Sequence, residues 1–169
     1  MDAMEAIISR RSIRRYAGKK IPAELVEQLL HAAMSAPSAG NMQPWQFVIV
    51  DDRKILDKIP TVHPYADILK QAPLAVLVCG DLELDGFGGY WVQDCSAATE
   101  NLLIAAHARG LGAVWLGVYP RDERVKALRD FLGIPEHITP FAVIPIGYPD
   151  EKLSRENRFD PSKVHQNHW

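Results

Sequence analysis

This sequence contains few cysteines and carries almost no net charge. Its 169 residues include two cysteines, Cys79 and Cys95, which form no C-x-x-C pair. Nothing near either residue would lower a thiol pKa, so we interpret them as buried, unreactive thiols in a reducing compartment. The formal net charge of −2 provides no general field for a nucleic acid or an anionic membrane.

Long apolar runs are also missing. No run approaches the roughly 20 residues that a membrane-spanning helix needs, and the first eight residues lack the basic start and apolar middle of a secretory signal. We therefore expect a cytoplasmic protein that binds neither membranes nor nucleic acids. With 47% hydrophobic residues, the chain can form one core without disulfides, which predicts a single domain over residues 1–169.

Hydrophobic periodicity divides the chain into alternating helices and strands. Helices are predicted at 2–10, 22–34, 52–59, 66–71, 89–109 and 122–132. Strands are predicted at 46–50, 74–79, 113–118 and 141–147. Taken alone, this alternation predicts a doubly wound α/β fold. Pro145 indicates an edge, a bulge or an irregular pairing in the last strand.

Two segments carry more apolar surface than one small domain can cover. The predicted helix at 89–109 is apolar nearly all round, so it must be buried on more than one side, and a partner subunit is one hypothesis for the second side. The tail, residues 148–169, has little core of its own. Its Phe159, Val164 and Trp169 favour packing on another surface, which we expect to belong to a partner subunit.

Residues 10–16, which read Arg-Arg-Ser-Ile-Arg-Arg-Tyr, place four guanidinium groups and a hydroxyl close together. Guanidinium forks pair bidentately with phosphate oxygens. In a nearly neutral chain, such a local cluster favours a small anionic ligand over a long polyanion. A solvated basic turn is the alternative interpretation of this arginine segment.

A polar loop at residues 35–44 follows the second predicted helix. Its Pro, Ser, Gly, Asn and Gln residues exclude regular structure, and its length exceeds that of an ordinary connection. Asn41 and Gln43 can supply amide hydrogen bonds, whereas Trp45, just after the loop, is interpreted as a core anchor. An ordinary helix-to-strand connection is the alternative.

Three motifs in register resemble the FMN-dependent nitroreductase family: residues 10–16, residues 36–47 (Ala-Pro-Ser-Ala-Gly-Asn-Met-Gln-Pro-Trp-Gln-Phe) and the helix-to-strand passage at 94–117. The resemblance covers nearly the whole chain. It implies an α+β sandwich with a mixed, mainly antiparallel central sheet flanked by helices, in an intertwined homodimer. We let this implication override the doubly wound fold.

The resemblance also implies an activity. A member of this family is an FMN-dependent oxidoreductase that takes electrons from NADH or NADPH and reduces nitroaromatics or quinones by ping-pong hydride transfer. The alternatives are a flavin store or redox sensor without turnover, a specialised flavin enzyme such as a dehalogenase or dehydrogenase, and a non-flavin anion-binding module. The short 80–89 segment predicts an open pocket with broad substrate acceptance.

The family's cofactor contacts transfer to matching positions of this sequence. One subunit would supply Arg10, Arg11, Ser12, Arg14 and the main chain of Leu116 and Gly117. The tail residue Arg158 is the candidate for a second clamp on the phosphate. The other subunit would supply Pro37, Ser38, Ala39, Asn41 and Gln43. Arg10 suits the phosphate and Arg14 the N1–C2=O edge of the ring, whereas Gly117 stands where many members carry Glu.

No catalytic side chain and no metal ligand is predicted, because the cofactor carries the chemistry. The H-x-x-H pair His165 and His168 lacks the further ligands of a metal site. Tyr65, Phe87 and Tyr90 are weaker candidates for lining a substrate pocket.

Overall fold

Helices and strands alternate along the chain in the computed structural model, which describes all residues, 1–169. The helices are α1 (Ala3–Ser9), α2 (Ala23–Met34), α3 (Arg53–Leu56), α4 (Trp91–Ala108) and α5 (Asp122–Leu132). The strands are β1 (Tyr16–Ala17), β2 (Trp45–Val50), β3 (Leu74–Asp81), β4 (Gly112–Ala113), β5 (Leu116–Gly117) and β6 (Ile138–Pro149). Short 3-10 turns lie at Ala39–Asn41, Ile59–Thr61, Asp67–Lys70, Leu82–Leu84 and Pro161–Lys163.

Capping residues explain why several helix bounds agree with the sequence. The Asp2 carboxylate accepts a hydrogen bond from the Glu5 N–H at 3.0 Å at the start of α1, and α5 ends at Gly133 in the left-handed conformation, φ 64°. The predicted helix at 52–59 shrinks to the single turn α3. The predicted helix at 66–71 is a 3-10 turn.

All strand pairs of the six-stranded sheet are antiparallel. β6 is central: it pairs with β3 on one side and with β1, β4 and β5 on the other, and β2 pairs only with β3. One parallel bridge joins Ser12 to Ala113. The mainly antiparallel α+β sheet implied by the resemblance is therefore confirmed. The doubly wound fold is wrong, because alternating helices and strands do not fix strand direction.

Pro145 lies in the middle of the central strand and is not at an edge. Its carbonyl accepts a hydrogen bond from the Tyr16 hydroxyl at 3.3 Å, so its nitrogen faces the same side of β6. On that side the pairing is interrupted between Ala113–Ile146 and Leu116–Val143. The missing N–H therefore falls in a gap of the ladder, and the expected irregular pairing is confirmed.

The same gap shows that the predicted strand at 113–118 is not continuous. It consists of two short strands, β4 and β5, which are interrupted at Val114 and Trp115.

The edge strand β2, on the far side of β3, is only half-buried, and its Ile49 is exposed. The sequence-based prediction of a buried strand is therefore wrong for β2.

Two apolar layers sandwich the sheet. Alternate residues of β3 face opposite sides, so Val76 and Val78 join the layer of α2 and α4, while Leu77 and Cys79 join the layer of α3 and α5. Trp45 is buried in the first layer, which confirms its expected role as a core anchor. Strands β4 and β5 pair only with β6, so they lie at the border of the sheet opposite β2.

Helix α4 buries one broad face and leaves another half-covered. Its buried residues are Trp91, Asp94, Cys95, Ala98, Thr99, Leu102, Leu103 and Ala106. Ala97, Ile104 and Ala105, which the sequence also places on an apolar face, are only half-buried. A single chain thus covers only part of the apolar surface of this helix.

The tail after β6 has no helix or strand apart from one 3-10 turn, and its Phe159, Val164 and Trp169 are exposed. Its first residues nevertheless hold the arginine segment. The Glu151 carboxylate accepts hydrogen bonds from the main-chain N–H groups of Arg14 and Arg15, at 2.6 and 3.2 Å.

Candidate functional site

The arginine segment runs beside β4 in extended conformation. The Ile13 N–H donates to the Ala113 carbonyl at 3.0 Å, and the Ile13 side chain is buried in the core. Because neighbouring residues of an extended chain point to opposite sides, Ser12 and Arg14 face away from that core. The Ser12 hydroxyl has no hydrogen-bond partner within the chain.

The four arginines of this segment have different partners. Arg10 Nε lies 3.2 Å from the Glu100 carboxylate on α4. Arg11 holds the tail, with Nη1 donating to the Ser154 carbonyl and Nη2 3.0 Å from the Glu156 carboxylate. The guanidinium groups of Arg14 and Arg15 have no partner within the chain. The segment therefore offers two free cations.

Arg14 lines a cavity of about 370 Å³ at the border of the sheet. The other lining residues are Tyr65, Ile68, Val114, Trp115, Leu116 and Gly117. Leu116 and Gly117 are thus brought together with Arg14, as predicted, and Tyr65 also lines the cavity. Mostly apolar walls with one cation, at this volume, are typical of small-molecule sites.

Two side chains absent from the sequence-based predictions hold one wall of this Arg14 cavity. His63 Nε2 lies 2.9 Å from the Gly117 carbonyl oxygen, and Arg124 Nη1 donates to the same oxygen at 2.8 Å. Arg124 also lies over the Tyr65 ring, 5.4 Å from its centroid. No sequence signal joins these residues, because His63 and Gly117 lie 54 positions apart.

His63 is almost fully buried, with 1% of its surface exposed. Its Nδ1 accepts a hydrogen bond from the Tyr65 N–H at 3.3 Å, so the proton sits on Nε2 and the ring is neutral. Burial, with the Arg124 cation nearby, holds the pKa of His63 below its usual value.

A second histidine, His107 on α4, also has a lowered pKa. Its Nε2 lies 2.7 Å from the Ser9 hydroxyl, and burial followed by the Arg10 cation lowers its pKa.

These two histidines predict that the protein loses stability in mild acid. As the pH falls through the usual histidine pKa of about 6.5, the unfolded chain binds protons that the folded chain does not, so the unfolding free energy decreases. Each histidine contributes at most about 1.4 kcal/mol per pH unit, until the pH passes its lower folded-state pKa. Urea unfolding between pH 8 and 5 measures the slope. In a double variant, His63→Gln with His107→Gln, the unfolding free energy should depend less steeply on pH. A wild-type unfolding free energy that does not change over this range would contradict the prediction.

The 37–43 loop is held by α4 and by a hydrogen bond between its own residues Gln43 and Ser38. The Ala39 N–H donates to the buried Asp94 carboxylate at 3.0 Å, and the Gln43 N–H donates to the Ser38 hydroxyl oxygen at 3.0 Å. The hydroxyl proton of Ser38 is therefore still available to a ligand. Pro37 and the side-chain amides of Asn41 and Gln43 are exposed, and those amides have no partner within the chain.

Backbone strain is concentrated in this loop. Gly40, Asn41 and Gln43 have φ angles of 54°, 56° and 49°, in the left-handed region that costs a non-glycine residue about 1–2 kcal/mol. Such strain is typical of functional segments. Phe87 packs over Gly40 and Tyr90 lies edge-on to Phe87, with ring centroids 6.4 Å apart, so both belong to this loop and not to the Arg14 cavity.

Substitution of Gln43 by glycine should remove this strain. Relief of the strain raises the unfolding free energy, whereas the greater freedom of glycine in the unfolded chain lowers it. We therefore expect the unfolding free energy to stay level or rise by up to about 1 kcal/mol. The control, Gln46→Gly in strand β2, should lower it by about 0.5–1 kcal/mol. Equal losses in both variants by urea unfolding would show that Gln43 is not strained.

Helix α4 separates the 37–43 loop from the arginine segment. Asp94 and Asn101, seven residues apart on one face, bind Ala39 and the Ala32 carbonyl. Glu100 and His107, also seven apart, bind Arg10 and Ser9. At 3.6 residues per turn these two faces are about 120° apart. The loop residues do not line the Arg14 cavity, so one chain keeps the two predicted half-sites apart.

Arg158 lies neither in the Arg14 cavity nor beside the 37–43 loop. It lines a groove with Ile7, Ile8 and Phe159, and its Nε is 3.5 Å from the Glu156 carboxylate. It therefore reaches the arginine segment only through Glu156, which also pairs with Arg11. Acidic and main-chain groups of the tail, rather than basic ones, touch the arginine segment in the single chain.

The two cysteines take no part in the site. Both are fully buried, on opposite sides of the sheet. Burial raises the pKa of the Cys79 thiol to about 12 and also raises the pKa of Cys95. Their interpretation as buried, unreactive thiols is supported.

A mainly antiparallel sheet between two helical layers, with a cation-bearing apolar cavity at its border, defines an α+β cofactor-binding domain. A model of the nitroreductase family matches residues 7–63 and 61–148. The chain belongs to the nitroreductase family, and the resemblance in the sequence is confirmed.

Similar proteins cover the whole length of the chain. A Methanothermobacter thermautotrophicus protein assigned as an NADH dehydrogenase/NAD(P)H nitroreductase is 51% identical over 169 residues, which is 100% of this chain and 88% of that protein. An FMN-dependent nitroreductase from Clostridium difficile has a TM-score of 0.90 at 31% identity and covers 98% of this chain and 99% of its own. A protein from Desulfovibrio desulfuricans assigned as a nitroreductase and solved in complex with FMN has a TM-score of 0.86 at 31% identity, over 100% and 98% of the two chains.

No helix of the protein combines the length and the apolar character that crossing a bilayer requires.

Proposed function

We propose that this protein is an FMN-dependent NAD(P)H oxidoreductase that reduces small planar acceptors such as nitroaromatics or quinones in a ping-pong cycle. Family membership supports the cofactor and the donor. The observation that carries the proposal is the Arg14 guanidinium, which has no partner within the chain and lies in an apolar cavity of about 370 Å³. An unpaired cation in such a cavity suits a planar ligand with a negative edge.

The residues present fit FMN. The Arg14 cavity offers apolar walls for a flat ring, and at Gly117 a Cβ would meet nothing within 4 Å, so the main chain is open to a ligand. The free Ser12 hydroxyl and the remaining N–H groups of Arg10 and Arg11 suit the phosphate and ribityl chain.

Bound FMN supplies reversible two-electron transfer between NADH or NADPH and the acceptor. The protein's part is to bind and orient the reactants. Arg14 places a positive charge where negative charge collects, which favours electron acceptance. Leu116 and Gly117 present main chain to the ring. No side chain of the site is required as a general acid or base.

We further propose a homodimer in which each site uses both chains. The 37–43 loop of one subunit, with the free amides of Asn41 and Gln43, completes the Arg14 cavity of the other. The separation of the two half-sites by α4 supports this arrangement. So do the half-buried Ala97, Ile104 and Ala105 of α4 and the exposed Ile7 and Ile8 of α1, together with the uncovered apolar residues of the tail, which we place on the partner.

The experiment is an anaerobic visible spectrum of the FMN-reconstituted protein before and after NADH or NADPH is added. We expect bound yellow flavin to bleach and a quinone or nitroaromatic to restore it. Binding without bleaching by either nucleotide would instead favour a flavin store, a sensor or a specialised flavin enzyme. A protein that binds no FMN would overturn the proposal.

A further inference from the structure

We propose that His63 is a positioning residue that, together with Arg124, fixes the Gly117 wall of the Arg14 cavity against its Tyr65 wall. The inference rests on the proposed FMN site and adds to it the side chains that set the shape of that site.

The carbonyl group of Gly117 is held by side chains from outside strand β5. Gly117 has no side chain, and the space where its Cβ would stand is open, so side-chain packing cannot fix its peptide plane. Its carbonyl oxygen instead accepts two hydrogen bonds, from His63 Nε2 at 2.9 Å and Arg124 Nη1 at 2.8 Å. A carbonyl has two lone pairs, so this oxygen is saturated and turned to the protein.

His63 is itself held firmly. Its main-chain N–H donates to the Ile59 carbonyl at 3.0 Å, and its main-chain carbonyl accepts from the Ala66 N–H at 3.1 Å. The imidazole is buried between two cavity-lining residues, since Nδ1 accepts from the Tyr65 N–H and Nε2 donates to Gly117. One neutral ring therefore ties the Tyr65 and Gly117 walls together.

Only the neutral ring can make both bonds. A protonated imidazole would direct an N–H from Nδ1 toward the Tyr65 N–H. The charged group that faces the ring is Arg124 on α5, which opposes protonation. We therefore expect this wall to loosen only when the pH falls below the lowered pKa of His63.

The test compares FMN dissociation constants by flavin fluorescence for wild type, His63→Gln and His63→Leu. Glutamine can place its amide N–H near the position of Nε2, whereas leucine cannot donate. We expect His63→Leu to weaken FMN binding about tenfold and His63→Gln to recover most of that loss. His31→Leu, on the exposed surface of α2, should bind FMN as wild type does.

A pH series separates positioning from a general loss of structure. Between pH 7.5 and 4.5, wild-type affinity for FMN should fall more than that of His63→Gln, and the difference should grow below the usual histidine pKa of about 6.5. The FMN phosphate titrates with both proteins, so its contribution cancels in the ratio of the two FMN dissociation constants. A merely structural role would give parallel profiles and would overturn the inference.

The remaining outcomes are also decisive. If wild type binds FMN and His63→Leu binds it equally well, the inference alone fails. If wild type binds no FMN, the proposed function and the inference fail together. Should His63→Leu not fold, Arg124→Met carries the test, because it removes the second bond to Gly117 from a half-exposed position. It should weaken FMN binding several-fold, and unchanged binding would overturn the inference.

Discussion

Replacement of Arg14 by glutamine is expected to weaken FMN binding by about 10- to 150-fold. A hydrogen bond to a charged group contributes about 1.5–3 kcal/mol, and the Arg14 guanidinium has no protein partner with which a ligand must compete. The measurement is a fluorescence titration with FMN. A parallel titration with riboflavin, which lacks the phosphate, shows whether Arg14 acts on the ring, because a contact to the ring lowers both affinities alike.

The neighbouring residue provides the matched control. Arg15 carries the same charge, also has no side-chain partner and shares the hydrogen bond to Glu151 through its main chain, but it does not line the cavity. Arg15→Gln should therefore change the FMN affinity less than threefold. Equal losses in the two variants would mean that only the overall charge of the segment matters.

The second large effect is expected at Gly80, near the end of β3. A Cβ there would overlap the indole ring of Trp91, lying 2.9 Å from Cζ3 and closer still to Cε3. Trp91 is itself confined by Tyr119 and Phe141, with ring centroids 4.8 and 6.0 Å away. Gly80→Ala should therefore lower the unfolding free energy by about 1–3 kcal/mol.

Gly18 is the control for this substitution. A Cβ at Gly18 would meet nothing within 4 Å, and its φ angle is not positive. Gly18→Ala should leave the stability level or raise it by about 0.4–1 kcal/mol, because alanine restricts the unfolded chain. Urea unfolding of both variants checks the pair, and a Gly80→Ala protein as stable as wild type would refute the tight packing against Trp91.

The sequence predicts the local parts of this fold well and the long-range parts poorly. The predicted helix at 122–132 coincides with α5 because its apolar stripe and Gly133 define both ends. The direction of the strands depends on pairing between distant segments, so periodicity alone led to the wrong doubly wound fold. The resemblance to a family corrected it.

The same limit applies to the site. Arg14, Leu116 and Gly117 are predicted through shared motifs, and the structure brings them to one cavity. The cofactor-binding roles of these three residues, and those of Arg10, Arg11, Ser12, Arg158 and the loop residues, stay predictions. His63 has no local pattern, because its role depends on a carbonyl that folding brings to it from a distant strand.

The two faces of α4 have a genetic consequence in the proposed homodimer. A chain with Arg14→Gln retains a normal 37–43 loop, and a chain with Asn41→Ala retains a normal Arg14. When the two defective chains pair, one of the two sites combines both lesions and the other combines both intact halves. At FMN concentrations too low to fill the sites of either variant alone, co-expression of the two should therefore restore activity by interallelic complementation, with one working site in each mixed dimer.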